Sequence, residues 1–456
     1  MAAPEIPTHT PERVPMREGP AILLLGITIV LVIMNTMMFN LALPDVAVAY
    51  HLSPSSTSWI VTGYSIVFAI SSITYSRLSD FVPIRRLYLI GILSLSLASI
   101  AGLFSNSFIM LLIVRIIQAS GAGSIPALSM VLLARYIPTE RRGKAMAVIM
   151  SAVSLGLGLG PVIGGAIVEF SGWHTLFVVT AVTLLLVPLY LSIIPKENAR
   201  KGSFDVLGAI LIGVGTTGTL LFLTNRSWIA LVSGLVALAL FIVNIRSAKD
   251  PFVLPSLFLN RSYLTLAAVG IAAYLCSFST LFLIPQIMVN QYHLSAIKVG
   301  LVLFPGSLLA MFLSRYVGQV IDLRGNSPII RYIPVLFLMS VVLFALFEHI
   351  SYFAVMSIYM LMSIAFTFLS SSISNEMSRI LLPSQIGSGL GLFQLLQFFS
   401  GGFGVAMTAT ALVWQKELPI AQAYSNIFWG MSIVILISIA CSLLYLQGAS
   451  RKAQAS

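Results

Sequence analysis

The sequence predicts an all-α polytopic membrane protein with fourteen transmembrane spans, and three observations predict it. The 456 residues are 58% hydrophobic and 9% charged, with a mean hydropathy of +1.00, outside the range of water-soluble domains. Apolar stretches of about 20 residues, the length a helix needs to cross hydrocarbon while bonding its own backbone, recur along the whole chain. The basic residues also alternate from one connection to the next. With the N-terminus inside, twenty-one of the 25 Lys and Arg fall on the inner side, only Arg226, Lys298 and Lys416 fall outside, and Arg115 alone lies within a span. Lys and Arg accumulate on the cytoplasmic face, so the chain is expected in the cell membrane with both termini cytoplasmic.

Residues 1–20 are proline-rich and of mixed charge, which predicts a disordered cytoplasmic tail. The spans then run at about 21–43, 58–79, 87–104, 108–133, 145–168 and 175–194, which places a six-helix bundle within 21–200. Two inserted spans, 205–224 and 228–244, occupy 201–250. A second six-helix bundle within 251–447 comprises 264–289, 297–317, 330–347, 351–374, 389–413 and 425–447, and 448–456 is a cytoplasmic tail. An internal echo supports the division: "SRLSDFVPIRR" after the second span and "GQVIDLRG" after the tenth each carry an aspartate followed closely by arginines. Transporters are often built from such repeated halves.

The net charge of +11 follows from topology rather than from nucleic-acid binding, since the basic residues do not gather on one face. Cys276 and Cys441 both lie in apolar stretches and read as packing residues. No Walker loop, HExxH or GxSxG is present, so neither an enzyme nor an ATP-driven pump is expected, and no cofactor or metal.

The glycine-rich stretch "SLGLGLGPVIGG" interrupts the fifth span. Gly156, Gly160 and Gly164 are four apart, with Gly165 and Pro161 beside them. Glycines at that spacing let a neighbouring helix approach at backbone distance, and a proline removes one helix hydrogen bond. Such a segment can serve as a gating helix that rocks against its partner; the alternative is static small-residue packing. Arg115, in "RIIQASGAG", costs about 2.5 kcal/mol or more to insert, which places it facing a polar cavity or, alternatively, hydrogen-bonded to Gln118 as a brace.

Together these stretches resemble the major facilitator superfamily, specifically its fourteen-helix drug/proton antiporters and most closely the tetracycline-efflux type of Gram-positive bacteria. The resemblance implies a major facilitator fold with two pseudo-symmetric bundles in a 6+2+6 arrangement. In "SRLSDFVPIRR" it implies a cytoplasmic latch with Asp80, Arg85 and Arg86 in the charged positions, repeated at Asp322 and Arg324. "RIIQASGAG" matches the family's buried-arginine motif, the glycines match its "GxxxGPxxGG" antiporter signature, and "NTMMFNLALPD" resembles its first-helix motif through Asn40. The implied activity is export of a drug-like or secondary-metabolite molecule by alternating access in exchange for protons, by a monomer in the lipid bilayer.

The chain departs from the pattern where acids belong. Asn35 or Thr36, Leu157 and Gly401 stand at positions where the family carries carboxylates. Glu376 is the remaining candidate for a proton-binding group, or it simply pairs with Arg379 at i, i+3. Substrate contacts are expected from Arg115, Gln118, Asn35 and Asn40, and from Gln394 and Gln397 on one face of the thirteenth span. Tyr64, Phe68, Tyr274, Phe278 and Tyr359 could add aromatic lining. A carrier for an anionic or zwitterionic metabolite without a buried coupling acid, or a non-transporting membrane sensor, is the alternative.

Overall fold

The computed structural model describes residues 16–52, 54–199, 202–248 and 250–455. Its spanning elements are α1 (Glu18–Ala49), α2 (Pro54–Leu78), α3 (Ile84–Gly102), α4 (Phe108–Tyr136), α5 (Thr139–Ser171), α6 (Trp173–Ile193), α7 (Val206–Asn225), α8 (Trp228–Ser247), α9 (Arg261–Asn290), α10 (Ala296–Arg324), α11 (Ser327–Phe347), α12 (Tyr352–Ile380), α13 (Ile386–Trp414) and α14 (Ile420–Ala455). Local chemistry sets several starts. The side chains of Ser107, Asp205, Ser227, Asn260 and Ser351 each accept from a backbone N–H in the first turn of the helix that follows. The chain leaves α5 and α10 at Gly172 and Gly325, with φ of 77° and 73°, a region that costs a side chain dearly.

Thirteen of these helices, among the described residues, are long and apolar enough to cross a membrane. The fourteenth expected span, 205–224, forms the 20-residue helix α7, of which Val206–Phe222 is the apolar run among the described residues. It lies antiparallel to α8. Asp205 at its start is bonded by Asn244 near the end of α8, while Gly218 in its second half abuts Ala230 and Gly234 near the start of α8. The start of α1 and the second half of α14 lie on one face of the bundle: Glu18 pairs with Arg141 at the start of α5, and Tyr445 bonds Glu376 at the end of α12. That face also holds Arg77, Arg135 and Arg142, and is termed the basic end below.

Two six-helix halves repeat one packing scheme. In the first, α1 packs on α5 and α6, α2 on α4, and α3 on α4 and α6; in the second, α9 packs on α13 and α14, α10 on α12, and α11 on α12 and α14. The halves meet through α2 against α13 and through α10 against α5, which are equivalent pairs under the repeat. The hairpin α7–α8 lies outside this scheme and touches α2 and α13 through α7. Leu185, Val243 and Ile433 are more than half exposed on the outer surface, where lipid rather than protein covers them.

Three boundaries differ from the expectation. Residues 1–15 of the expected tail lie outside the described residues, and helix begins at Glu18, inside it. At the other end the helix continues to Ala455, through the expected tail. Asp322 lies in the last turn of α10 rather than in a loop, because Val317 and Ile321 extend the apolar face of the helix against Ala147 of α5.

Candidate functional site

Arg115 lies two turns into α4 from the end opposite the basic one, and is 1% exposed. Its guanidinium carbon sits 4.0 Å from the ring centres of both Phe39 on α1 and Tyr64 on α2, so two aromatic faces replace part of its lost hydration. One end of the fork donates to Gln118 Oε1 at 2.6 Å, and Gln118 Nε2 in turn donates to Ser99 Oγ at 2.8 Å and Thr180 Oγ1 at 3.0 Å, on α3 and α6. The Nε of Arg115 has no hydrogen-bond partner within the protein. Nearby, Asn35 Nδ2 donates to the Tyr64 hydroxyl at 3.4 Å, leaving Asn35 Oδ1 unpartnered. The Asn40 side chain lies outside the described residues.

From Tyr64 a line of ring contacts crosses between the halves. Tyr64 stacks on Phe68 at 6.1 Å, Phe68 meets Phe398 of α13 edge-on at 4.7 Å, and Phe398 meets Tyr274 of α9 at 5.6 Å. Tyr274 also touches Phe278 at 5.7 Å and Phe366 at 5.1 Å. Gln394 and Gln397, both buried on α13 close to Phe398, keep Gln394 Oε1 and Gln397 Nε2 without partners within the protein. Buried amide groups left open in this way favour a polar ligand group over an apolar one. Tyr359 lies apart from the line, its ring against Gly306 of α10.

The glycines of α5 divide between two partners. A Cβ built at Gly156 would lie 2.9 Å from Ile33 Cβ, at Gly160 2.5 Å from Met37 Cβ, and at Gly164 2.9 Å from Met38 Cβ, so this face packs on α1 of the same half. The face toward the other half is different. Gly158 abuts Ser307 of α10, Val162 abuts Gly300, Lys144 abuts Gly318, and Ser154 shares a 2.7 Å hydrogen bond with Thr367 of α12. Gly165 is buried, and the helix runs unbroken through Pro161.

At the basic end, Asp80 accepts from Arg77 at 2.8 Å and from Arg135 at 2.9 Å, with the three side chains 7–15% exposed. Its carboxylate rests against Gly387 in the first turn of α13, where unpaired N–H groups favour an anion. Ser76 Oγ donates to Gly387 O at 2.8 Å across the same seam. Under the repeat, Asp322 takes the equivalent place: Lys144 N donates to Oδ2 at 3.3 Å in an early turn of α5, and Gly143 lies against the carboxylate. Both aspartates therefore clamp the start of a helix of the opposite half. Asp80 finds its cations on Arg77 and Arg135, while Arg85 is half-buried and Arg86 and Arg324 are exposed. Glu376 lies at this same end, bonded by Asn326 Nδ2 and the Tyr445 hydroxyl and 4.0 Å from Arg379, at the opposite end from Arg115.

The sequence reading missed Phe398, Phe366 and Phe39, which in an apolar span look like any packing residue. Arg135 was legible only as a topological charge. The structure brings Arg115, Gln118, Asn35, Tyr64, Phe68, Tyr274 and Phe278 into one connected line, sets Gln394 and Gln397 close to it, and leaves Glu376 and Tyr359 outside it.

The fold is shared with known transporters. The human organic anion transporter MFSD10 (TETRAN) superposes with a TM-score of 0.70 at 16% identity, over 93% of this chain and 99% of that one. The riboflavin transporter RibZ of Clostridioides difficile (strain 630) is 30% identical over 241 residues, 52% of this chain and 53% of that protein. The multidrug resistance protein Stp of Mycobacterium tuberculosis (strain CDC 1551 / Oshkosh) is 28% identical over 268 residues, 55% and 49% of the two. The chain thus spans about half the length of these curated relatives in alignment. The sequence model of the Major Facilitator Superfamily matches residues 25–405, and the chain belongs to that family.

Proposed function

We propose that this membrane transporter exports an amphipathic, ring-bearing small molecule of the drug-like or secondary-metabolite class, by alternating access and in exchange for protons. The observation that carries the reading is the line from Arg115 through Tyr64, Phe68, Phe398 and Tyr274, which joins a buried cation to an aromatic seam shared by both halves. Planar substrate rings would replace the ring–ring contacts of that seam as the halves part, and the open amides of Gln394 and Gln397 would take polar substituents. The names of RibZ and Stp, a riboflavin transporter and a multidrug resistance protein, agree with such a substrate class. The sidedness of the Lys and Arg supports a cytoplasmic basic end in the cell membrane, and the reading takes the transporter as a monomer. The two aspartate clamps then belong to a state closed toward the cytoplasm.

A second reading has its own support. Among the described residues the buried charged side chains are Arg77, Arg115 and Glu348, so no carboxylate is buried inside a span. Arg115 lacks the acid that would neutralise it, which favours an anionic or zwitterionic substrate, and the structural neighbour MFSD10 is titled an organic anion transporter. Coupling through the substrate's own charge would then replace proton exchange.

Expression in an efflux-deficient bacterial strain, challenged with a panel of antibiotics including tetracycline and with anionic aromatic metabolites, identifies the substrate. Reconstituted vesicles with an imposed pH gradient then separate the readings: exchange moves protons against substrate, whereas the uncoupled carrier leaves lumenal pH unchanged. Arg115→Ala should abolish transport of an anionic substrate; undiminished transport would remove Arg115 from the site.

A further inference from the structure

The basic end contains a cavity of about 660 Å³ between the halves. Its walls come from the α2–α3 connection, the junction of α4 and α5 and the segment after α6 on one side, and from the end of α12 and start of α13 on the other. Four cationic side chains line it, Arg135, Arg142, Lys196 and Arg379, against two carboxylates, Asp80 and Glu197. Both carboxylates are already engaged by the protein. Asp80 holds Arg77 and Arg135, while Glu197 accepts from the Tyr136 hydroxyl at 2.6 Å and from Ile84 N at 2.8 Å. Among the lining side chains cations therefore outnumber carboxylates by two; Arg379 also faces Glu376 at 4.0 Å, and Lys196 and Arg379 are the exposed cations of the set.

We propose that this cavity is a binding site for a phosphate-bearing anion, separate from the aromatic seam, and that its occupant holds the basic end shut. Phosphate chemistry suits it, because a guanidinium fork and an ammonium supply several donors to the oxygens of one doubly charged group. Carboxylate ligands would use fewer. A volume of this size is larger than inorganic phosphate needs and fits a diphosphate or the headgroup of an anionic phospholipid. The bracing follows from position. Arg142 belongs to α5 and donates to Ser378 Oγ of α12 at 3.3 Å, directly beside Arg379, and Lys196 follows α6, so one anion would be held by both halves. Separation of the halves at this end would break those contacts, and the ligand would favour the closed arrangement by its differential affinity for it. That the occupant acts from inside the cell rests on the proposed orientation; the binding does not.

The purified full-length chain in neutral detergent tests the site without any transport assay. Thermal unfolding is followed against increasing pyrophosphate, against inorganic phosphate, and, in lipid nanodiscs, against phosphatidylglycerol diluted in phosphatidylcholine, with sodium chloride at matched ionic strength as control. The expected result is a saturable rise in midpoint with one or more phosphate probes and none with chloride. Response to pyrophosphate assigns a soluble anion; response confined to phosphatidylglycerol assigns a lipid headgroup. The double variant Lys196→Gln, Arg379→Gln, at two exposed positions, should bind about tenfold or more weakly, since each removed charge deletes a charge-assisted contact. Absence of saturable stabilisation by all three probes, or equal stabilisation of the double variant, overturns the proposal. Failure of the export reading would leave this result unaffected.

Discussion

Asp80→Asn tests the clamp at the basic end. The substitution keeps the shape of the side chain and removes its charge, so Arg77 and Arg135 lose their shared anion while the start of α13 loses the group that complements its open N–H donors. Breaking a fully buried pair costs about 3–5 kcal/mol. With the side chains 7–15% exposed here, the lower end applies, about 3 kcal/mol. Only the part that differs between closed and open arrangements moves the equilibrium. Arg77 is in the last turn of α2, three residues before Asp80, and Arg135 is in the same half, so they stay close on opening, whereas the contact with Gly387 is lost. About half the cost, ~1.5 kcal/mol, is therefore assigned to the closed state alone, a shift of roughly tenfold toward opening. A single cysteine at Ser388, a position 0% exposed in α13, reports it after Cys276 and Cys441 are replaced by serine. Labelling by a membrane-impermeant maleimide from the basic side should accelerate about tenfold in Asp80→Asn. An unchanged rate in a variant that folds normally would refute the clamp.

Three further outcomes are expected. Glu348, in the connection after α11, is 0% exposed and neither carboxylate oxygen has a partner within the protein; burial pushes its pKa up from 4.5 to about 7. The native state thus keeps a proton that the unfolded chain releases between those values, so stability falls as pH rises through that window and stays lower above it. Glu348→Gln should match the parent in unfolding at pH 4 and exceed it by up to about 3 kcal/mol at pH 8; a pH-independent difference would contradict this. Gly160→Leu forces a side chain into Met37 and the Met34 carbonyl within one half, and should lower unfolding free energy by about 1–3 kcal/mol, measured by thermal unfolding. Gly158→Val acts instead on Ser307 across the halves, past the midpoint of α5 toward the end opposite the basic one, and should lower the labelling rate at the basic end along with any loss of stability.

The spans and the repeat were legible because hydrophobic length and the sidedness of arginines are physical requirements of a bilayer, written into every segment. The site was legible where chemistry is costly: Arg115 stands out because a buried charge in lipid is rare, and Gln118 because its neighbour needs a partner. The glycines illustrate the opposite case. Their spacing showed that something approaches α5 closely, yet not whether it comes from the same half, and the structure gives that face to α1 and the cross-half face to Gly158. Phe398 could not be singled out, because its role depends on which helix faces α2, and a single sequence does not carry that information.

The most direct test of alternating access uses paired spin labels at both ends of the molecule. One pair, at exposed Arg86 and Leu382, spans the basic end; a second, at exposed Asp45 and Lys298, spans the other. Pulsed dipolar distance measurements should resolve two populations at each end, and Asp80→Asn should lengthen the first pair while shortening the second. A single distance at both ends under all conditions, or both pairs moving in the same direction, would contradict a transporter that opens to one side at a time.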